Sequence, residues 1–144
     1  MNVTIIGAGN MGRGIGYRLL VGGHNVTLAD IDPQTAEKTA DELRGMPGIT
    51  ASVSTATLEA VEPGDVVVLA LWYGANLETV RQLGKKLEGR VVVDVANPLN
   101  SSFDGLATAP DSSSAEDVAR AIASGASVVK AFNTTFAGTL MLGQ

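Results

Sequence analysis

Gly7-Ala8-Gly9-Asn10-Met11-Gly12 is the stretch of this sequence best suited to chemistry. It has the G-x-G-x-x-G spacing, and what such a turn does is hold phosphate. Gly7 permits a tight turn, Gly9 lets a pyrophosphate approach the backbone, and Gly12 lets a helix pack close to a strand. The N–H groups at the helix start then meet the phosphate charge. Asp30 lies eighteen residues beyond Gly12. A carboxylate there accepts hydrogen bonds from adenosine ribose hydroxyls and repels a 2′-phosphate. No arginine follows in Asp30-Ile31-Asp32-Pro33-Gln34, so NAD is favoured over NADP.

The elements around these residues fit that chemistry. Residues 3–6 are apolar and β-rich and form a first strand. Met11, Ile15 and Leu19 recur at fourfold spacing as the apolar face of a helix, with Gly12 and Gly16 where it nears the sheet and Gly22-Gly23 as its stop. Residues 26–29 make a second strand. Asp32-Pro33 is an N-cap with proline at N1, opening a helix to about Leu43. A weak third strand is expected over 49–53 and a short helix over 55–61. Residues 65–71 contain the continuous run Val66-Val67-Val68-Leu69, as in a strand buried on both faces. Leu77, Val80, Leu83 and Leu87 mark the next helix, and 90–95 the fifth strand. A loop runs from Asn97 to about Pro110. Ser113-x-x-Glu116 is a capping box for a helix carrying Val118, Ala119 and Ile122. Residues 127–131 form the sixth strand, and 134–144 show no strong pattern. This alternation predicts an α/β fold: one doubly wound parallel sheet (Rossmann), six strands in order 3-2-1-4-5-6, in a single domain over 1–144.

Bulk composition narrows the function. The 144 residues are 45% hydrophobic and 17% charged, which excludes disorder and suffices for one core. A net charge of −5 without a basic block argues against nucleic acid or an anionic membrane as partner. There are no cysteines and one histidine, so thiolate and multi-histidine metal sites are excluded. No apolar run reaches membrane-spanning length, and the first residues lack a signal-peptide layout, so a cytoplasmic location is expected. Methyltransferases share the glycine turn but usually carry an acid just before it; residues 1–6 hold none.

In a doubly wound sheet, ligands bind outside the carboxyl ends of the strands. Those ends here are Ala70-Leu71-Trp72-Tyr73-Gly74, Asp94-Val95-Ala96-Asn97-Pro98-Leu99 and Val129-Lys130-Ala131-Phe132-Asn133-Thr134. Val-Asp-Val-Ala-Asn-Pro-Leu, a serine-rich helix start and then Val-Val-Lys-Ala-Phe-Asn-Thr closely resemble the NADP oxidoreductase family that includes F420-dependent NADP reductases. The N-terminal half of the STEAP metalloreductases is similar. The resemblance spans residues 1 to about 138.

It implies hydride transfer between a nicotinamide cofactor, NAD(P), and a deazaflavin (F420) or flavin-like small-molecule acceptor. It implies that Gly7, Gly9, Asn10, Met11 and Gly12 hold pyrophosphate, that Leu71, Trp72 and Tyr73 pass beside the cofactor, and that Asn97, Pro98, Ala131, Phe132 and Asn133 lie near the nicotinamide. No general acid or base is implied, since hydride moves between stacked rings. Relatives continue into a C-terminal part that helps build the substrate site and a homodimer; without it, the alternative is a dinucleotide-binding module, a redox sensor or regulatory domain, that does not turn over. Other residues have structural explanations. His24 belongs to a helix-to-strand turn, Asp94 and Lys130 pair with each other or with backbone, and serines 112–114 are helix-cap chemistry. Trp72 and Tyr73 either wall a flat ring or simply pack.

Overall fold

A computed structural model describes residues 1–122 and 125–142. Six strands form one parallel sheet: β1 (Asn2–Ile6), β2 (Asn25–Asp30), β3 (Val53–Thr57), β4 (Val66–Leu69), β5 (Val91–Asp94) and β6 (Ser127–Lys130). Their order is β3-β2-β1-β4-β5-β6, as the strand–helix alternation predicts. The helices are α1 (Asn10–Val21), α2 (Pro33–Arg44), α3 (Tyr73–Leu83), α4 (Ser114–Ala121) and α5 (Ala137–Leu142), and a 3-10 turn (Gly84–Leu87) extends α3.

Side chains alternate across each strand, so the sheet has a core on both faces. Val3 and Ile5 of β1, Leu28 of β2 and Val68 of β4 pack with Ile15 and Leu20 of α1 and with Ala36, Ala40 and Leu43 of α2. Ile6, Val67, Leu69 and Val92 face the other way, against Val80, Leu83 and Val118 of α3 and α4. Parallel register aligns the carboxyl ends: Ile6 is opposite Ala29 and Leu69, Leu69 opposite Asp94, and Asp94 opposite Lys130. This is the edge from which the connecting loops rise.

Three expectations from the sequence are corrected. The third strand is Val53–Thr57 rather than 49–53. The helix expected over 55–61 does not form; its first residues finish β3, hydrogen-bonded to β2, and Leu58, Glu59 and Ala60 turn toward Val61. Residues 137–142 form α5, whose Leu140 packs against α1 at Gly14; Gly143 and Gln144, the end of that stretch, lie outside the described residues. Among the described residues, no helix is long and apolar enough to cross a membrane, and no group of three metal-ligating side chains occurs.

Candidate functional site

The glycine turn joins β1 to α1 at the carboxyl edge of the sheet. Gly7 has φ +102°, and a Cβ there would strike the Ala70 carbonyl oxygen at 2.5 Å. A Cβ on Gly12 would come within 1.9 Å of the Gly7 carbonyl oxygen, so α1 can approach only with glycine at this position. Gly9 differs: a Cβ there meets nothing within 4 Å, because its face opens outward. Among the described residues no side chain caps α1, and its first turn has no acid. The first N–H to turn back is that of Arg13, to the Gly9 carbonyl at 2.9 Å. The N–H groups of Asn10, Met11 and Gly12 therefore keep the donors that every helix N-terminus leaves over. With the helix dipole they form a fringe suited to an anion.

The turn is braced from both sides. Ala8 donates its N–H to Asp30 Oδ2 at 2.8 Å, and its carbonyl accepts from the buried Thr39 hydroxyl of α2 at 2.8 Å. The other Asp30 oxygen accepts from the Asp32 N–H at 3.0 Å. Asp30 thus stabilises the turn at the β2 end, and each of its oxygens has a further lone pair. Asp32 caps α2, accepting from Gln34 N–H and the Thr35 hydroxyl, and the hydroxyl is the main cause that holds its carboxyl below the usual range. A cleft of about 200 Å³ lies beside the turn, lined by Ala8, Gly9, Asn10, Thr39 and the charged Arg13, Lys38 and Glu42. Arg13 is tied to Glu42 at 2.9 Å, while its buried Nε has no partner among the described residues. No sequence motif picks out Arg13, Lys38 or Thr39; only Thr39, in helical step with Ala36 and Leu43, carries a signal.

The other half of the sheet brings the remaining residues to the same edge. Leu71 Cδ2 lies against the glycine turn, 2.8 Å from where a Gly7 Cβ would sit. Trp72, 75% exposed, precedes α3 at its N-cap position. The Tyr73 hydroxyl donates to Asp117 Oδ2 of α4 at 2.5 Å. That bond is the main cause that pushes the phenol up and the Asp117 carboxyl down, and Ser112 adds a second hydrogen bond to Asp117. The Tyr73 hydroxyl thus ties α3 to α4.

Asn97 and Asn133, from the loops after β5 and β6, bind each other: Asn97 Nδ2 donates to the Asn133 carbonyl at 2.9 Å. Pro98 continues the first loop. Ala131 continues β6, donating to the Asp94 carbonyl at 3.2 Å, and Phe132 follows in the left-handed region at φ +63°. Asp94 and Lys130 do pair, at 2.9 Å. His24 sits at the opposite end of the sheet, near the N-terminal amine, and Ser113 caps α4 by accepting from Glu116 N–H.

The profile of the family described as "NADP oxidoreductase coenzyme F420-dependent" matches residues 2–98, more than half the sequence. The chain belongs to this family. An F420-dependent NADP reductase from Methanocaldococcus jannaschii is 32% identical over 127 residues, 82% of this chain and 56% of that protein. A hypothetical protein from Sinorhizobium meliloti superposes with a TM-score of 0.81 at 29% identity, over 97% of this chain and 65% of the other. A putative F420-dependent NADP reductase from an Arthrobacter species gives 0.78 at 25% identity, over 94% and 64%. The chain therefore spans less than two thirds of the length of each. Family membership makes it an oxidoreductase-family chain of the nicotinamide-nucleotide class, with the fold that binds dinucleotides across the two sheet halves.

Proposed function

We propose that the chain binds a nicotinamide dinucleotide along the carboxyl edge of its sheet and serves hydride transfer to or from a flat ring acceptor of deazaflavin (F420) or flavin type. The carrying observation is the free N–H fringe of α1 beside the open face of Gly9, in a chain of this family. Gly7, Gly9, Asn10, Met11 and Gly12 cradle the pyrophosphate. Asp30 takes the adenosine ribose and favours NAD over NADP. Leu71, Trp72 and Tyr73 run beside the dinucleotide. Asn97, Pro98, Ala131, Phe132 and Asn133 flank the nicotinamide. The nucleotide supplies the hydride chemistry; the chain aligns the two rings and keeps water away. No side chain is assigned as general acid or base.

A second reading is a dinucleotide-binding module, a redox sensor or regulatory domain without turnover of its own, which the same anion-suited turn would serve. One titration separates the readings. NADH and NADPH are added while Trp72 fluorescence and heat are followed, and F420, FMN or FAD is then supplied while nicotinamide absorbance is recorded. Binding followed by oxidation supports the enzyme, and binding with no oxidation by any acceptor supports the module. Failure of both nucleotides to bind refutes both.

A further inference from the structure

A polar network built on the buried Asp94 and Asn76 adjoins the paired asparagines through Ala96. Asp94, fully buried at the end of β5, accepts from Asn76 Nδ2 of α3 at 3.0 Å, from the Ala96 N–H at 3.0 Å and from Lys130 Nζ of β6 at 2.9 Å. Lys130 Nζ also donates to the Ala96 carbonyl. Both polar groups of Ala96 are therefore held by one ion pair. Asn76 is itself fully buried, and its Oδ1 has no partner among the described residues, so the amide is oriented by Asp94 alone.

Stability does not call for this arrangement. Asp94 is buried while the Lys130 side chain stays 32% exposed, and an ion pair that takes a charge out of water generally stabilises a fold no better than apolar side chains of the same volume. What apolar side chains cannot do is fix the peptide groups on both sides of Ala96. The next residues are Asn97 and Pro98, and Asn97 then spans to Asn133 at 2.9 Å. The network thus sets the position of a short ledge, 96–98, that joins three elements: α3, β5 and β6. It lies on the opposite half of the sheet from the glycine turn and Asp30.

We infer that Asn76, Asp94 and Lys130 are positioning residues for the nicotinamide half of the dinucleotide, acting through the Ala96–Asn97–Pro98 backbone and leaving the adenylate half untouched. The inference rests on the nucleotide-binding reading above. Groups that hold a ligand-bearing backbone rigid raise affinity by removing an ordering cost from binding.

The test compares two ligands on the full chain. One is NADH or NADPH, whichever the wild type holds more tightly. The other is the matching fragment without nicotinamide, ADP-ribose or its 2′-phosphate. The variants are Lys130→Arg, Lys130→Met and the double change Asp94→Asn with Lys130→Met, which frees the ledge without leaving a buried charge unpaired. The expected result for the double variant is about a tenfold weaker hold on the reduced dinucleotide, with loss of its fluorescence change, while the fragment binds within about twofold of wild type. Lys130→Arg, which keeps donors for both Asp94 and the Ala96 carbonyl, restores most of the lost affinity. Unchanged dinucleotide affinity in the double variant overturns the inference. So does equal weakening of dinucleotide and fragment, which would make the network a support of the whole fold. If the wild type binds neither ligand, the nucleotide-binding reading itself falls, and this inference with it.

Discussion

Gly9 and Gly12 sit three residues apart, yet the structure assigns them opposite sensitivities. At Gly12 an added Cβ would lie 1.9 Å from the Gly7 carbonyl oxygen, whereas ordinary contact begins near 3.4 Å. The obstacle is backbone, so α1 must move away from the turn. Overpacking of this kind costs about 1–3 kcal/mol, and the better helix propensity of alanine returns about 1 kcal/mol. With a backbone obstacle the upper part of the range applies, for a net loss of about 2 kcal/mol in Gly12→Ala. In a domain of this size that lowers Tm by about 6 °C.

At Gly9 the backbone is extended, φ −73° and ψ −164°, and a Cβ meets nothing within 4 Å. Gly9→Val therefore costs only the poorer N-cap, about 0.5–1 kcal/mol, and a Tm drop below about 3 °C. Its side chain instead fills the space through which a pyrophosphate is proposed to reach the N–H groups of Asn10, Met11 and Gly12. Losing one or two charge-assisted hydrogen bonds weakens nucleotide binding by about 10–100-fold. Thermal melts and calorimetric titration of the two variants check both halves. A Gly9→Val protein that stays folded and binds nucleotide within about twofold of wild type refutes the site. A Gly12→Ala protein with unchanged Tm refutes the close approach of α1.

Three further outcomes follow from the same geometry. The Tyr73–Asp117 bond holds the Asp117 carboxyl below its ordinary 3.8 and the Tyr73 phenol above its ordinary 10.0. Its stabilisation is therefore present between those values, and is lost as pH falls through the depressed carboxyl pKa or rises through the raised phenol pKa. In Tyr73→Phe the Asp117 carboxyl, followed by NMR, titrates at higher pH than in wild type; an unchanged pKa refutes the bond. Lys130→Met leaves Asp94 buried with no counter-charge, so urea melts should find it less stable than the double variant that also carries Asp94→Asn; the reverse order would contradict the pairing. Phe103, 67% exposed, holds φ +59°, so Phe103→Gly relieves backbone strain and raises stability by about 0.5–1 kcal/mol, whereas a loss would show that its ring packs.

The parts of the fold legible in the sequence are those fixed by local constraint. Central strands are buried on both faces, so Val66-Val67-Val68-Leu69 and the run after Arg90 announce themselves as unbroken apolar stretches. The edge strand β3 carries Ser54, Thr55 and Thr57 and lies against one neighbour only. Its sequence has no such signal, while Leu58 and Val61 imitate a helical step; pairing with β2 decided the outcome instead. Helix α5 escaped because it buries no residue fully. In the site, the glycine turn was legible because its steric demands are met within six residues. Asp94 and Lys130 were legible as a pair because charges in apolar strands must find partners. Tyr73 and Asp117, 44 residues apart, were not, because only the packing of α3 on α4 brings them together.

The two ends of the proposed cofactor path share one device. Ala8 and Ala96 each precede residues proposed to meet the ligand. Each gives its N–H to a carboxylate, Asp30 or Asp94, and each offers its carbonyl to a donor from another element, Thr39 or Lys130. The backbone is thus fixed before any ligand arrives, which is what preorganised binding requires. This gives Asp30 two duties that a single substitution confounds: its carboxylate braces the turn, and its remaining lone pairs are proposed to accept from ribose. Asp30→Ser separates them if both nucleotides are measured. Loosening the turn weakens NADH and NADPH alike, by about tenfold for a charge-assisted hydrogen bond. Losing the ribose contact weakens NADH further, and removing the carboxylate favours the 2′-phosphate, so the NADH-to-NADPH affinity ratio falls by about another tenfold. A parallel loss with the ratio unchanged would confine Asp30 to the turn and refute its proposed part in selecting NAD over NADP.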